Sequence, residues 1–275
     1  MSIRHVLSRV LVALGTLFFV VVFNFFLFRA VGDPKKDLIR SRLDAAARQE
    51  IIRERGYDKS QLEQFRIYVG QLARGDLGDS FKREVPVSSL LRDAIPNTII
   101  VVGSATLIAS LLGAWLGVQA GRRRGRPRDA LITQGSVALY SMPEFWLGMV
   151  LIFVLAVKLK ALPTQFKGEP GAVYPGFLDE LQDVAKHAVL PVATLALGLL
   201  AQYAVVMRAS MVDAMREDFV LTARAIGLAP KAVRRRHVVP NALLPLVTVI
   251  GLNLGLVLGG VIAIETLFSW PGVGF

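Results

Sequence analysis

Five long apolar segments constrain the fold of this chain more than any other feature of its sequence. Three contain no charged side chain, one contains Asn24 as its only strongly polar residue, and one contains a single charge, that of Glu144. At about 1.5 Å per helical residue, each is long enough to cross a hydrocarbon core of about 30 Å. The segments are residues 10–28, 99–121, 130–157, 188–207 and 241–264.

These segments are predicted to be helices. Within a bilayer the backbone polar groups must be satisfied by protein, which only helices and closed barrels achieve. The segments lack the alternation of apolar and polar residues that barrel strands show. A hydrophobic share of 53% is also too high for an ordinary soluble domain of 275 residues. The sequence therefore predicts an all-α integral membrane protein in which five spanning helices are visible.

The positive charges indicate how the helices are oriented. The chain carries a formal net charge of +11, which is concentrated in alternate loops. Loop 122–129 has five Arg and one Asp, and residues 208–237 have seven Lys or Arg and three acids, whereas residues 158–187 balance four basic against four acidic residues. Because basic loops stay in the cytoplasm, the N-terminus and the first two of these loops are predicted to be cytoplasmic. The Arg cluster in loop 122–129 is interpreted as an orientation anchor beside anionic lipid.

The spans divide the chain into three parts. Residues 1–31 are the first transmembrane helix, residues 32–94 an external helical segment, and residues 95–275 the membrane core, with a cytoplasmic loop at about 211–240. Within the external segment, apolar residues at helical spacing predict helices near 44–55 and 59–72. We expect a small helical cap on the outer surface, packed through Leu62, Phe65, Ile67, Val69 and Leu72.

Enzymatic activity is not predicted for this chain. The sequence has no Walker A motif, nucleophile elbow or dinucleotide fingerprint. His5, His187 and His237 fall in different predicted compartments or membrane ends, and there is no cysteine. Such residues do not make a plausible zinc or haem site, so neither a metal nor a resident cofactor is expected.

Two polar residues inside the spans are candidates for lining a path through the membrane. Glu144 follows Pro143 in the third segment, and a carboxylate at that depth is costly unless it meets a cavity, a partner or a proton. The alternative is that Pro143 breaks the helix near an interface and Glu144 caps the freed amides. Asn253 is interpreted first as an interhelical hydrogen-bonding residue and second as a substrate ligand.

Two rows of glycines at four-residue spacing each lie on one helix face. Small residues in such rows let helices approach closely in a membrane. We therefore expect packing within the bundle or against a partner at Gly113, Gly117 and Gly121 in the second span and at Gly251, Gly255 and Gly259 in the fifth.

The cytoplasmic segment 218–245 has the pattern of two short helices, over 218–226 and 230–239, joined at a glycine. Gly227 can end the first helix in a left-handed conformation, and Pro230 suits the first turn of the second. A DNA-binding helix-turn-helix has a similar pattern, but the flanking spans would hold it against the bilayer and leave little room for a duplex. A protein partner on the cytoplasmic face is the better hypothesis. The predicted apolar face of the first helix comprises Met215, Phe219, Thr222, Ala223 and Ile226.

The segment 218–228, DFVLTARAIGL, resembles the cytoplasmic EAA loop of ABC-importer permeases in the form typical of the peptide and nickel importer branch. The family pattern has a Gly at the turn and a Pro at the next span, where this chain has Gly227 and Pro240. Leu221 stands at the position of the family's leading Glu. Further stretches, in order along nearly the whole chain, are similar to the B-type subunit of that branch. They are GDP at 32–34, GDLGDSF at 75–81, PNT at 96–98, SMPEFWLG at 141–148 and ETLFSWPGVG at 265–274.

The resemblance implies the transmembrane domain of a type I ABC importer, with a sixth helix expected beyond the end of this sequence. It also implies a second homologous permease subunit, two cytoplasmic ATPase subunits that bind ATP and Mg, and an external solute-binding protein. The implied location is the inner, cytoplasmic membrane of a prokaryote. The loop residues to which the resemblance assigns coupling to the ATPase are Asp218, Thr222, Ala223, Arg224, Gly227, Leu228, Pro230, His237 and Pro240.

The activity that the resemblance implies is ATP-driven import of oligopeptides or dipeptides. Nickel chelates, glutathione, haem and glycosides are alternative substrates of the same type of importer. An ATP-independent channel or secondary transporter is an alternative of another class, and it would not need the cytoplasmic docking segment. A membrane-anchored scaffold is a third alternative, which would transport nothing.

Overall fold

The computed structural model describes residues 3–31, 44–54, 56–80, 83 and 85–275. Every regular element among them is a helix, apart from an isolated antiparallel bridge between Asp79 and Pro86. The chain divides into two compact units, Met1–Leu91 and Arg92–Phe275. The predicted GDP motif at 32–34, Phe81 of the GDLGDSF motif and the surroundings of Gly259 lie outside the described residues.

The first unit contains α1 (Ile3–Val31), α2 (Ala45–Glu54) and α3 (Gln61–Ala73). Aromatic rings join α1 to α3: the buried ring of Phe25 lies 5.0 Å from Phe65 and 5.5 Å from Tyr68, measured between centroids. The Arg29 guanidinium lies 3.6 Å from the Phe25 centroid and its Nη2 donates to Gln64 Oε1 at 2.8 Å. These contacts hold α3 against the C-terminal end of α1.

Two helices, α2 and α3, lie where the sequence predicts them, near 44–55 and 59–72. Ser60 caps the start of α3, because its Oγ accepts a hydrogen bond from the Glu63 amide at 3.4 Å. The predicted packing face is wrong at Leu62, which is 71% exposed. Phe65 and Tyr68 direct the packing toward α1, whereas the first turn of α3, which contains Leu62, stays open to its surroundings.

The second unit is a bundle whose helices are interrupted at prolines and by two π-helical turns. Its elements in chain order are α4 (Val87–Gly121, which begins in the first unit), α5 (Pro127–Tyr140), α6 (Glu144–Leu151), a π turn (Ile152–Lys158), α7 (Phe177–Ala214), α8 (Asp218–Ala225), α9 (Pro230–Val233), a second π turn (Arg234–Val238), α10 (Val239–Gly260) and α11 (Ile262–Leu267).

Four helices of the described residues are long and apolar enough to cross a membrane, and a bent pair makes a fifth if it counts as one span. The prediction of one continuous helix over 130–157 is wrong, because α5 and the α6 segment meet at an angle of 101°. Pro143 causes the break: it has no N–H for the helical ladder, and it disfavours helical geometry at Met142. The four are Val6–Ala30, Val87–Gly121, Phe177–Ala214 and Pro230–Gly255, and the bent pair is Pro127–Tyr140 with Glu144–Lys158.

The core of the second unit lies around α7, and α4 approaches it at backbone distance. A Cβ added to any glycine of the first row would clash with a Cβ of α7, so only glycine allows this spacing. On α10, nothing in the described chain lies within 4 Å of a Cβ added to Gly251 or Gly255. The distances to the facing Cβ are 2.7 Å for Gly113 and Tyr203, 2.5 Å for Gly117 and Met207, and 2.6 Å for Gly121 and Met211.

Candidate functional site

The predicted docking segment comprises α8, the turn at Gly227 and α9. Gly227 has φ +83°. Its amide donates to Arg224 O at 2.9 Å, and the Leu228 amide donates to Ala223 O at 3.2 Å. These two bonds form a Schellman motif, which satisfies the last carbonyls of α8 and requires the left-handed residue. Pro230 then occupies the first turn of α9, where a missing N–H has no cost.

One side of the docking segment is anchored in the bundle and the other is free. Val220 and Ala223 of α8 and Val233 of α9 are buried in the core. Leu221 is 62% exposed and Ile226 is 72% exposed, although both are large and apolar. An exposed apolar pair on a rigidly held helix is the kind of surface that another protein's groove covers.

The predicted apolar face of α8 is wrong at two positions. Phe219 and Ala223 face the core, as expected, but Thr222 and Ile226 are exposed. The buried face of α8 is displaced from the predicted one because it includes Val220, which is not part of the predicted face. The Thr222 hydroxyl donates back to Asp218 O at 3.1 Å, so it is satisfied within the helix.

The second helix of the segment is not a separate short helix over 230–239, as the sequence had predicted. It continues from α9 through the π turn into α10 and forms one long element, Pro230–Gly255. The wider π turn lies directly before Pro240, whose ring would clash with the carbonyl four residues earlier in an α-helix. Of the predicted coupling residues, Ala223 is buried, and Leu228 and His237 are half-buried. The exposed ones are Asp218, Thr222, Arg224, Gly227, Pro230 and Pro240.

A partly buried ion pair that the sequence does not reveal joins α5 to α7. Arg208 Nε and Nη2 donate to Asp129 Oδ1 and Oδ2 at 2.9 and 2.8 Å, which is a bidentate fork. The carboxylate also accepts from the Gly125 amide at 2.9 Å and from the Thr133 hydroxyl at 3.2 Å. Arg208 and Asp129 were counted only as loop charges, since nothing local marks a pair 79 residues apart.

The basic loop 122–129 shares its electrostatic field with the docking segment. Partial desolvation lowers the pKa of the Arg122 guanidinium, and the like charges of Arg123, Arg234 and Arg128 lower it further. Arg234 belongs to the π turn after α9, so the two basic loops present one positive face. Such a face attracts anionic lipid or acidic residues of a partner.

Polar groups inside the membrane lie along one side of α7. The Glu144 carboxylate lies against Gly198, since a Cβ added to this glycine would be 3.4 Å from Glu144 Oε1. One helical turn further, Gln202 Oε1 accepts a hydrogen bond from Asn253 Nδ2 of α10 at 2.7 Å. Pro143 precedes α6, but Glu144 makes no capping hydrogen bond there. The sequence gives no signal for a role of Gln202, because it is a single amide within an uncharged apolar segment.

The PNT and ETLFSWPGVG motifs, which lie far apart in sequence, are packed together. The fully buried Glu265 accepts hydrogen bonds from the Thr98 hydroxyl at 2.6 Å and from the Gly274 amide at 2.7 Å. Trp270 Nε1 donates to Asn97 O at 3.0 Å, and Asn97 Nδ2 donates to Pro271 O at 2.8 Å. The WPGVG turn is therefore wrapped around a carboxylate and attached to the start of the apolar run in α4.

The loop between the first π turn and α7 is attached to α7 by one carboxylate. Asp183 Oδ2 accepts from the Tyr174 hydroxyl at 2.6 Å and from the Glu169 amide at 2.7 Å. This hydrogen bond to Asp183, followed by desolvation, raises the pKa of Tyr174. His187 lies beside the same Asp183, with 3.3 Å between Nδ1 and Oδ1. Within the described part of the chain, no group of three or more His, Cys, Asp or Glu residues could hold a metal ion.

Comparison with known proteins places this architecture in a family. The family described as "Binding-protein-dependent transport system inner membrane component" matches residues 109–275. The di/tripeptide transport system permease protein DppB of Pseudomonas aeruginosa (strain UCBPP-PA14) is 35% identical, over 99% of this chain and 85% of that protein. The oligopeptide transport system permease protein AppB of Bacillus subtilis (strain 168) is 31% identical, over 98% and 84%. The glutathione transport system permease protein GsiC of Escherichia coli (strain K12) is 34% identical, over 99% and 84%. This chain therefore belongs to the family of binding-protein-dependent transport system inner membrane components.

Proposed function

We propose that this chain is a permease subunit that forms half of an inward translocation path for short peptides. The observation that carries the proposal is the docking segment, where a Schellman turn at Gly227 holds an exposed apolar pair, Leu221 and Ile226, on an anchored helix. An ATP-independent channel or secondary transporter has no use for such a cytoplasmic contact. The named transport systems of the relatives handle dipeptides, tripeptides, oligopeptides and glutathione, so a short peptide backbone is the common chemistry.

The proposed assembly contains a second homologous permease, two cytoplasmic ATPase subunits that bind ATP and Mg, and an external solute-binding protein. In this arrangement the N-terminus and the docking segment are cytoplasmic, in agreement with the basic loops. The chain itself hydrolyses no ATP, and the movement of the ATPase subunits reaches it through α8 and α9. Glutathione is a second candidate substrate, because one relative carries that name.

The test of ATP coupling is Gly227→Val in a reconstituted complex. Nothing lies within 4 Å of a Cβ added at Gly227, so the substitution strains only the left-handed backbone, by about 1–2 kcal/mol. The strain tilts α9 relative to α8. We expect normal membrane insertion and normal association with the binding protein, while substrate-stimulated ATP hydrolysis and uptake fall together.

Gly171→Val is the strain-matched control, because Gly171 has φ +80° and equally open surroundings in the loop between the first π turn and α7. It should leave the ratio of peptide transported to ATP hydrolysed unchanged. Full coupled transport by Gly227→Val would show that the Gly227 turn does not transmit the signal, and uptake without ATP would favour the channel. Mass spectrometry of the ligand that co-purifies with the binding protein tests the peptide substrate directly.

A further inference from the structure

Glu144 places a carboxylate near the middle of the membrane. It rests on Gly198, which is ten residues after Ala188 and nine before Met207, the ends of the uncharged run in α7. At about 1.5 Å per residue, Gly198 is about 15 Å from either end. Among the described residues, no Lys, Arg or His nitrogen lies within 4.0 Å of this carboxylate and no hydrogen bond reaches it. The charge is thus unpaired within this part of the chain.

The carboxylate is also exposed on the surface of this chain. A charged group at that depth does not face lipid, because the cost of placing it in hydrocarbon is several kcal/mol. Unless the carboxyl group takes up a proton, it must face a water-filled cavity or a partner that supplies positive charge. A cation that donates hydrogen bonds would satisfy the carboxylate in such a cavity.

One turn along the same face of α7, two side-chain amides form a pair with one donor and one acceptor to spare. Asn253 Nδ2 donates to Gln202 Oε1 at 2.7 Å and to the Tyr203 hydroxyl at 3.4 Å, which leaves Gln202 Nε2 and Asn253 Oδ1 for a ligand. If both amides were turned over, the pair would still have one free donor and one free acceptor. A peptide group, with its N–H and C=O, is complementary to such a pair.

We propose that Glu144 binds the α-ammonium group of a peptide in transit, and that Gln202 and Asn253 bind its first peptide groups. The proposal rests on the peptide-import function and names the part of the peptide that this chain recognises. Gln202 lies four positions after Gly198 in α7, which is about 6 Å along the helix axis. An extended peptide advances about 3.3–3.6 Å per residue, so its first two residues cover the distance from carboxylate to amides.

The absence of a side chain at Gly198 leaves space for the ammonium group beside the Glu144 carboxylate. The carboxylate is contacted there by a residue without a side chain, and a methyl group at 198 would sit in van der Waals contact with Oε1, at 3.4 Å. The apolar side chains of Phe145 and Trp146 follow Glu144 in α6 and are exposed as well. A charge-assisted hydrogen bond beside apolar side chains is stronger than the same bond in bulk water.

The experiment compares a tripeptide with its N-acetylated form in proteoliposomes that contain the complete transporter. Each peptide is supplied at a concentration that gives the same occupancy of the binding protein. The selectivity of that protein then does not contribute to the difference in uptake between the two peptides. Uptake per ATP hydrolysed is measured for wild type, Glu144→Gln and Gly198→Ala. We expect wild type to prefer the free amine by at least about tenfold, the effect of one hydrogen bond to a charged group. Glu144→Gln should reduce the preference to less than about twofold, and Gly198→Ala should reduce it in part.

Glu169→Gln is the charge-matched control, because Glu169 is an exposed acid in the loop before α7, and it should keep the full preference. A wild-type preference that persists in Glu144→Gln would overturn the ammonium site and leave the peptide-import function standing. Loss of the second permease subunit from Glu144→Gln complexes would also overturn it, since the cation would then belong to that subunit. If wild type transports neither peptide, the proposed function fails as well.

Discussion

Replacement of Gly117 by alanine tests the contact between α4 and α7 most directly. A Cβ at this position would lie 2.5 Å from Met207 Cβ, 2.7 Å from Ala204 O and 2.9 Å from Arg208 N. Two of these atoms belong to the backbone of α7 and the third is attached to it, so no side-chain rotation removes the clash. The two helices must separate.

The size of the effect follows from the distances. Non-bonded carbon atoms are most stable about 3.5–4.0 Å apart, so α4 must move by about 1 Å. Overpacking of this kind typically costs about 1–3 kcal/mol. Gly103→Ala is the matched control in the same helix, because a Cβ there meets only Ile99 Cγ2, at 4.0 Å. Both substitutions exchange Gly for Ala within a helix and so share the gain of up to about 1 kcal/mol in helix propensity. The difference between the two variants therefore measures the packing alone.

The assay is the unfolding of the purified complex in a titration with dodecyl sulfate, with membrane insertion checked first. We expect Gly117→Ala to unfold at a lower detergent fraction than Gly103→Ala, by the equivalent of about 1–3 kcal/mol. Peptide uptake should fall in the first variant and remain in the second. Equal midpoints for the two variants would refute the close approach of α4 to α7.

Three further substitutions test the other contacts. Ile226→Asp should leave the unfolding midpoint nearly unchanged, since the side chain is exposed, but should weaken co-purification of the ATPase subunits by about tenfold; unchanged co-purification would exclude Ile226 from the docking surface. Asp129→Asn leaves the Arg208 guanidinium without its carboxylate and should cost about 1–3 kcal/mol in the same titration, and stability equal to wild type would show that the fork contributes nothing. Thr98→Val keeps the shape of the side chain but removes the hydrogen bond to Glu265 and the acceptor of the Val273 amide, so the unfolding midpoint should fall by the equivalent of about 1–3 kcal/mol; an unaltered midpoint would show that these two bonds contribute nothing.

The sequence was sufficient for the features that depend on local pattern. Uncharged runs predict spans because the bilayer imposes length and apolarity on each one separately. The left-handed turn at Gly227 could also be predicted from a local pattern, because a glycine followed by a proline three residues later indicates that one helix ends and another begins. Pro143 also indicated a break, but the angle of 101° depends on how α5 and α6 pack on α7, and no local pattern specifies that.

Contacts between distant residues could not be predicted from one sequence. Thr98 and Glu265 are 167 positions apart, and each looks ordinary in its own segment. The role of Gln202 could not be predicted either, because a single amide in an apolar segment does not change the prediction of a membrane-spanning helix. Its importance appears only when α10 brings Asn253 to it. Pairing is a property of the packed bundle, whereas hydropathy is a property of each segment.

The docking segment and the proposed peptide path are built on the same two helices. Three residues, 215–217, separate α7 from α8, and α9 continues through the π turn into α10. Gln202 on α7 and Asn253 on α10 therefore lie on the two elements that flank Gly227, and their 2.7 Å hydrogen bond joins those elements inside the membrane. A helix transmits displacement along its axis, and a π turn is where one can adjust its rotation. If, as proposed, an ATPase subunit changes the angle between α8 and α9, we expect the distance between these two amides to change as well. The peptide groups that they bind would be released by the same movement that the nucleotide drives.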